Sequence, residues 1–175
     1  MPRYLRSRLA GGTYFFTVVT AHRQPLLCRD GTRTALRGAV AAVRSKHPFD
    51  VVAWVLLPDH LHCIWTLPPG DSDFSGRWSA IKRRTTLALG RTLPPAARSR
   101  HRDGDLWQRR FWEHTIRDEA DLTRHVDYIH WNPVRHGLVT EAALWPYSTF
   151  HRWVRDGLYP SSWEGGDARG FEVPE

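Results

Sequence analysis

Two histidines that flank one leucine stand at the start of a predicted β-strand, in Pro58-Asp59-His60-Leu61-His62. Side chains alternate along an extended strand, so His60 and His62 emerge from one face and Leu61 from the other. Two imidazoles held side by side on a rigid strand form half of a divalent-metal site. The alternative is a pair of partly exposed strand histidines without a ligand. The position at a hairpin corner favours the metal site.

A tyrosine and an asparagine lie four residues apart near the end of a predicted helix, at Tyr128 and Asn132. This spacing places both side chains on one side of the helix. The apolar stripe of the same helix consists of Leu122, Val126 and Ile129 and is complete without the tyrosine. We therefore expect Tyr128 to serve the site rather than the core. Asn132 offers a carbonyl oxygen as a third ligand, which suits Mg²⁺ or Mn²⁺ without excluding Zn²⁺ or Co²⁺.

These groups together predict phosphoryl transfer to a tyrosine. A phosphodiester repels nucleophiles with its negative charge, and a divalent cation polarises its oxygens and neutralises that charge. A free tyrosine has a pKa of about 10, so Tyr128 needs activation, and His125 is a candidate for accepting its proton. The resulting phosphotyrosine ester keeps the energy of the broken bond. The reaction can therefore run backwards onto another strand end, which favours strand transfer over hydrolysis.

The charge of the chain indicates a nucleic-acid partner. The net charge is +7 and the isoelectric point about 10.1, and nearly all the cations are arginines. Arginine forks match phosphate oxygens and base edges, and aromatic faces, here including nine tryptophans, stack unpaired bases. An arginine-rich solvated surface is the alternative reading of the same composition. Two basic groups are candidates for phosphate contacts: Lys82, Arg83 and Arg84 on a predicted helix, and Arg109 and Arg110 on a predicted strand.

The periodicity predicts an α+β fold with the element order β-α-β-β-α-β-α. The predicted strands are 14–20, 51–57, 60–67 and 106–115, and the predicted helices are 31–46, 74–89 and 118 to about 132, where Pro133 should end the last one. Short turns and aromatic anchors should follow. This order suits a ferredoxin-like antiparallel sheet with helices packed on it and an extra helix elsewhere.

The length favours one domain over residues 1–175, with a basic N-terminal arm at 1–12 and an aromatic C-terminal tail from about 145. No apolar run is long enough to span a membrane, and the N-terminus lacks a signal-peptide core. Cys28 and Cys63 are far apart and suggest neither a zinc knuckle nor a disulfide framework. We expect a cytoplasmic protein, either monomeric or homodimeric.

Two segments together carry a resemblance to a known family. They are 57–62 (LPDHLH) and 128–139 (YIHWNPVRHGLV), and 14–26, 107–119, 145–150 and 151–163 add to it. The chain resembles the REP-associated tyrosine transposases of the HUH superfamily of single-strand DNA nucleases. The resemblance implies a ferredoxin-like HUH nuclease fold, a divalent metal, and cleavage and rejoining of single-stranded DNA at hairpin-forming repeated palindromes. A 5′-phosphotyrosine intermediate is also implied.

The resemblance also implies roles for individual residues. His60 and His62 match the metal-binding pair, Tyr128 matches the nucleophile, and Asn132 stands where a third ligand is often found. The basic arm with Arg3, Arg6 and Arg8 matches a region that reads the bases beside the hairpin. Arg135, inside the second motif, is counted among the expected DNA contacts.

Two other functions are open from the sequence. A catalytically silent relative that only binds DNA or RNA hairpins would have the same charge and tryptophan content, and only the intact set of His60, His62 and Tyr128 argues against it. A hydrolytic metalloenzyme is less favoured, because the sequence has no His-Glu-x-x-His and no further evident cluster of His, Asp and Glu.

Overall fold

A computed structural model describes residues 9–93, 106–168 and 170–174. Arg3, Arg6 and Arg8 and most of the predicted loop after residue 90 lie outside these residues. The strands and helices are β1 (Thr13–Val19), α1 (Asp30–Lys46), β2 (Asp50–Leu56), β3 (His60–Thr66), α2 (Phe74–Leu89), β4 (Trp112–Thr115), α3 (Glu119–Arg135) and α4 (Phe150–Arg155). The predicted order of elements is confirmed, with α4 as an addition in the tail.

The four strands form one antiparallel sheet in the order β2-β3-β1-β4. Together with the β-α-β-β-α-β order this is the predicted ferredoxin-like arrangement. The two central strands pair over their full length, from Thr13 opposite Thr66 to Val19 opposite His60. The histidine pair therefore lies in the middle of the sheet, at the end where β2 turns into β3.

The sheet separates two layers of packing. Alternate residues of β3, namely Leu61, Cys63 and Trp65, pack beneath α1 and α2. Ile64 points the other way and packs against α3. This alternation also turns His60 and His62 towards α3, because they share the parity of Ile64.

Helix α3 continues three residues beyond its predicted end. Its N-cap is Asp118, which accepts a hydrogen bond from the backbone N–H of Asp121. Pro133 lies inside the last turn, where it removes only one backbone hydrogen bond, so the helix runs on to Arg135. Gly137, with φ +66°, then ends it in a left-handed turn. The prediction that Pro133 stops the helix was wrong, and Asn132 keeps helical geometry.

Strand β4 is shorter than predicted. Only Trp112–Thr115 pair with β1, whereas 106–115 was expected to be extended. The segment before it follows β1 irregularly, through a single bridge of Trp107 to Thr20 and a hydrogen bond from the Gln108 N–H to the Val19 carbonyl. Arg109 and Arg110 therefore lie on a loop rather than a strand.

The tail covers the outer edge of β2 with both backbone and side-chain groups. The hydroxyl of Thr149 accepts from the Trp54 N–H, and the Leu56 N–H donates to the Tyr147 carbonyl. Arg152 donates to the carbonyls of Val51 and Val52. This coverage protects the edge from pairing with other strands. Among the described residues, no helix is long and apolar enough to cross a membrane.

Candidate active site

The histidine pair is fully enclosed between the sheet and α3. His60 is 2% exposed and His62 is 0% exposed. Their ring centroids are 4.9 Å apart and the ring planes stand at 80°. The predicted common face is observed, and burial in this layer excludes bulk water from both imidazoles.

Each histidine is oriented by a hydrogen bond at Nδ1. The Nδ1 atom of His60 lies 2.6 Å from Oδ1 of Asp59, whose other oxygen accepts from Arg23 at 3.1 Å. The Nδ1 atom of His62 lies 3.0 Å from the Thr17 hydroxyl. Burial raises the pKa of Asp59, but the contacts with His60 and Arg23 outweigh it and hold the pKa below its ordinary value. In both rings Nε2 is thus the atom to offer to a metal, with Nδ1 held from behind.

Tyr128 lies directly against this pair. Its ring centroid is 5.2 Å from that of His62, at 71°, and 6.1 Å from that of Phe15. The side chain is only 1% exposed. The expectation that Tyr128 stands off the packed stripe of α3 was wrong in one respect: this side of the helix is buried too, because it faces the sheet.

Asn132 lies one helical turn beyond the tyrosine, on the same side of α3. It is 0% exposed, and neither atom of its side-chain amide makes a hydrogen bond to any residue within 9–93, 106–168 or 170–174. A buried amide without partners costs free energy unless something else satisfies it. Two imidazoles oriented through Nδ1 and one unsatisfied amide oxygen fit a divalent cation.

A third imidazole, which was given no role from the sequence, also lies at the site. The ring centroid of His136 is 5.2 Å from that of His60, at an angle of 69°. His136 is the C-cap of α3 and is exposed. It is the fourth residue after Asn132, so the helical spacing of Tyr128, Asn132 and His136 was the available signal. This spacing could have identified His136 only if the helix had been predicted to continue past Pro133.

A second cluster of possible ligands lies nearer the N-terminal end of α3. His114, Asp121 and His125 bring three ligand atoms within 4.8 Å of one another. The sequence analysis missed this cluster, because His114 comes from β4 and its pairing with the helix is set by the fold. The two imidazoles stack with centroids 4.6 Å apart and planes 14° apart. Ring nitrogens bind metals in the ring plane, so parallel stacked rings do not converge on one ion.

The cluster instead anchors α3 to β4. Oδ2 of Asp121 lies 2.8 Å from Nε2 of His114 and accepts from the Arg117 backbone N–H at 3.0 Å. Burial raises the pKa of Asp121, but these bonds outweigh it and lower the pKa to about 2. Burial lowers the pKa of His125, whose Nδ1 lies 2.8 Å from the Asp121 carbonyl. The bonds of His125 are thus made away from Tyr128, and none of them supports it as the proton acceptor.

The C-terminal tail also packs against the tyrosine. The ring of Phe171 lies 5.9 Å from that of Tyr128 and 4.9 Å from that of His125. Arg135 holds this segment, donating to the Phe171 carbonyl at 2.9 Å and approaching Glu172 at 3.5 Å. Its guanidinium carbon also lies 5.6 Å from the Tyr128 ring. Phe171 therefore contributes to the burial of the tyrosine, which is only 1% exposed.

The opposite side of α3 is anchored by buried polar groups. His130 is 0% exposed, its Nε2 lies 2.9 Å from the Thr149 hydroxyl, and burial lowers its pKa to about 3. Tyr159 donates to Asp127. These contacts fix the rotation of the helix and with it the direction of Tyr128.

The predicted DNA contacts are distributed over two regions. Arg109 and Arg110 are exposed, and the Gln108–Val19 hydrogen bond places them at the sheet end that carries His60. Lys82, Arg83 and Arg84 lie on α2, which packs on the other side of the sheet. Lys82 donates to the Gln108 carbonyl at 2.9 Å, so it borders the Arg109 segment, while Arg83 and Arg84 are exposed to solvent.

Comparison with known proteins gives consistent matches over the whole chain. Residues 10–132 match the family described as IS200-like transposases. The chain is 46% identical over 175 residues to a REP-associated tyrosine transposase of Escherichia coli (strain K12), covering 100% of this chain and 98% of the relative. A Haemophilus influenzae relative is 40% identical over 167 residues, with 94% of each covered. A solved REP-associated tyrosine transposase bound to a REP hairpin matches with a TM-score of 0.82, 45% identity and complete coverage of both chains.

Proposed function

The chain belongs to the IS200-like transposases, enzymes that cut and transfer DNA, and we propose that it cleaves and rejoins single-stranded DNA beside hairpin-forming repeated palindromes. The hairpin substrate is taken from the solved relative bound to a REP hairpin. We further propose that the reaction takes place in the cytoplasm, because the relatives named above are bacterial and the proposed substrate is DNA. In this proposal one domain carries the whole activity.

One observation carries the proposal. The ring of Tyr128 lies 5.2 Å from that of His62, beside a second buried histidine and an amide with unsatisfied polar atoms. Buried polar groups of this kind cost stability unless they bind something. A tyrosine beside them offers the nucleophile that phosphoryl transfer to protein requires.

The residues divide the work of binding and orientation. His60, His62 and Asn132 would hold a divalent cation, Mg²⁺ or Mn²⁺ by the mixture of nitrogen and oxygen donors. When bound, the cation supplies charge neutralisation at the phosphodiester. Asp59 and Thr17 fix the two rings through Nδ1. His136, exposed beside His60, borders this site from the end of α3.

The proposed reaction exchanges one phosphate ester for another, so that the phosphate stays esterified throughout. The phenolic oxygen of Tyr128 attacks phosphorus, the bond from phosphorus to the 3′ oxygen breaks, and the 5′ phosphate remains on the tyrosine. The phenolic proton passes to a base, and the leaving oxygen becomes a 3′ hydroxyl. A second 3′ hydroxyl then attacks the phosphotyrosine, which releases the phenol and joins the strands.

The exposed arginines would hold the substrate around this centre. Arg109 and Arg110 lie at the sheet end of His60 and suit backbone phosphates on the path to the tyrosine. Lys82, Arg83 and Arg84 extend this positive surface round the edge of the sheet. Arg135, now engaged with the tail, would become available to phosphate when Phe171 moves. We assign Arg3, Arg6 and Arg8 to the bases beside the hairpin.

A covalent adduct tests the proposal. Purified protein is incubated with Mn²⁺ and a hairpin oligonucleotide labelled at the 3′ end, then run on a denaturing gel. We expect a labelled protein band that requires the metal and is absent in Tyr128→Phe. Tyr14→Phe is the matched control, because Tyr14 is a buried tyrosine on the other side of the sheet. Wild-type protein that binds the hairpin but gives no adduct under any divalent metal would overturn the catalytic assignment.

The burial of Tyr128 favours one second candidate, a protein that binds hairpins without cutting them. With 1% of the side chain exposed and Phe171 above it, the observed state is closed to a phosphodiester. In that case hairpin binding depends on salt as phosphate contacts require, and Tyr128→Phe leaves every measured property unchanged. The gel and a binding titration on the same samples separate the two functions.

A further inference from the structure

We propose that a groove between α1 and the edge strand β2 binds an unpaired stretch of single-stranded DNA, at a site distinct from the tyrosine. The groove, called here the α1–β2 groove, encloses about 430 Å³. Arg33, Arg37 and Arg44 border it from the helix, Trp54 from the strand, and Tyr147 from the tail. Its volume is in the range of ligand sites, which is about 300–1,000 Å³.

The groove lies on the side of the sheet that faces away from the active site. Trp54 packs with the residues beneath α1 and α2, whereas His62 stacks near Phe15 and Tyr128 in the other layer. One sheet therefore separates the two sites, and a substitution in the groove need not touch the site of chemistry. The inference takes from the proposed function only that DNA is the partner.

The arginines form a stripe on one face of α1. Their positions, 33, 37 and 44, repeat at the spacing of helical turns. Arg37 and Arg44 are exposed. Nε of Arg44 donates to the Phe49 carbonyl at 2.9 Å, and Arg33 is paired with the exposed Asp30 at 2.6 Å. Fixed positive charges along a groove attract a phosphate backbone.

Arg33 and Tyr147 form a rigid aromatic wall. The guanidinium carbon of Arg33 lies 4.4 Å from the centroid of the Tyr147 ring, and its Nη1 donates to the Tyr147 hydroxyl at 2.6 Å. The same arginine donates to the Cys28 carbonyl at 3.0 Å. Trp54, partly exposed, stands on β2 beside this wall.

This combination selects an unpaired base over other ligands. The floor is apolar, formed by side chains such as Leu36 and Val40, and the phosphate-binding charges stand on the rim. Stacking on an aromatic face requires a base freed from its pair, and every base has such a face. An acidic peptide would pair with the arginines of the rim but would place no aromatic face on the apolar floor. Single-stranded DNA flanking a hairpin satisfies both.

Binding of an oligothymidylate of 12 nucleotides tests the groove. We expect the double variant Arg37→Gln/Arg44→Gln to weaken binding at least tenfold by fluorescence anisotropy. The slope of log affinity against log salt should fall by about 0.7 for each arginine removed. Arg155→Gln is the matched control, since Arg155 is an exposed arginine on α4 outside the groove, and it should change affinity by less than about twofold.

A crosslink locates the bound strand directly. The same oligonucleotide with 5-bromodeoxyuridine, irradiated on the protein, should modify the peptides that contain Trp54 or Tyr147. Crosslinks confined to other peptides, equal losses in the Arg155 control, or equal binding of a duplex would each overturn the inference. Tyr128→Phe should crosslink as the wild type does. A crosslink in the groove without a covalent adduct would overturn only the catalytic proposal. An adduct without a crosslink in the groove would overturn only the inference about the groove.

Discussion

The two faces of the sheet are built in different ways from the same strands. Beneath α1 and α2 the packing is aromatic and aliphatic, with Trp65 and Trp78 stacked at 4.3 Å. Beneath α3 the enclosed groups include imidazoles, carboxylates and an amide, each at most 5% exposed: His60, His62, Asp121, His125, Asp127, His130 and Asn132. Burying polar groups costs free energy unless they are satisfied. The first face is therefore stabilised by apolar burial, whereas the second depends on hydrogen bonds among its buried polar groups.

A core substitution on the first face should have the largest effect of all on stability. Trp78 is 0% exposed, and Trp78→Ala should lower the free energy of unfolding by about 3–5 kcal/mol, because it leaves a large cavity. Denaturant unfolding measures this loss. Trp78→Phe is the milder control, because its smaller change in volume should cost less. A Trp78→Ala loss below about 1 kcal/mol would remove the distinction between the two faces.

On the second face the largest effect on stability should come from a polar anchor and should depend on pH. The pKa of Asp121 is about 2 in the folded protein and about 3.9 when unfolded, so its ionised form stabilises the fold above pH 4. This contribution, about 2–3 kcal/mol, is lost as the pH falls through 4 towards 2. We expect Asp121→Asn to cost roughly that much at pH 7 and little near pH 2.

Unfolding measured at several pH values checks the anchor. Asp118→Asn is a useful control, since asparagine preserves the N-cap of α3 and should change stability only slightly. The assignment would be contradicted if the free energies of unfolding of the wild type and Asp121→Asn differed by the same amount from pH 7 to pH 2.5.

Support of the metal ligands should affect binding more than folding. Asp59→Asn removes the negative charge behind His60, so we expect Mn²⁺ affinity to fall about 10- to 100-fold. Stability should change much less, since Asp59 is partly exposed. Calorimetric titration with Mn²⁺ measures the affinity. Asp30→Asn is the control. Asp30 is an exposed carboxylate paired with Arg33 on the other face of the sheet, so its substitution should leave the Mn²⁺ affinity unchanged.

The helices of the first face were predicted from the sequence more closely than the contacts of the second face. The helix α2 was predicted to the residue, because its apolar positions repeat at helical spacing. The histidine pair was predicted to share a face from strand alternation alone. His136 and the His114 cluster were missed, since both depend on how α3 meets the sheet. The burial of Tyr128 could not be predicted either, because Phe171 reaches it from over 40 residues away.

The smallest effect should come from substitution of Phe171, which covers Tyr128. A higher rate of adduct formation would identify Phe171 as a lid, and a lower rate would identify it as a core contact. Phe171 is only partly buried, and its segment is held by Arg135 through one carbonyl and one exposed carboxylate. Phe171→Ala should weaken the cover and raise the rate of adduct formation several-fold, with little change in stability. Leu158→Ala, at an exposed apolar site in the tail, is the control. If Phe171→Ala lowers the rate and the stability together, Phe171 belongs to the core of the second face. In that case DNA must reach the tyrosine by another route.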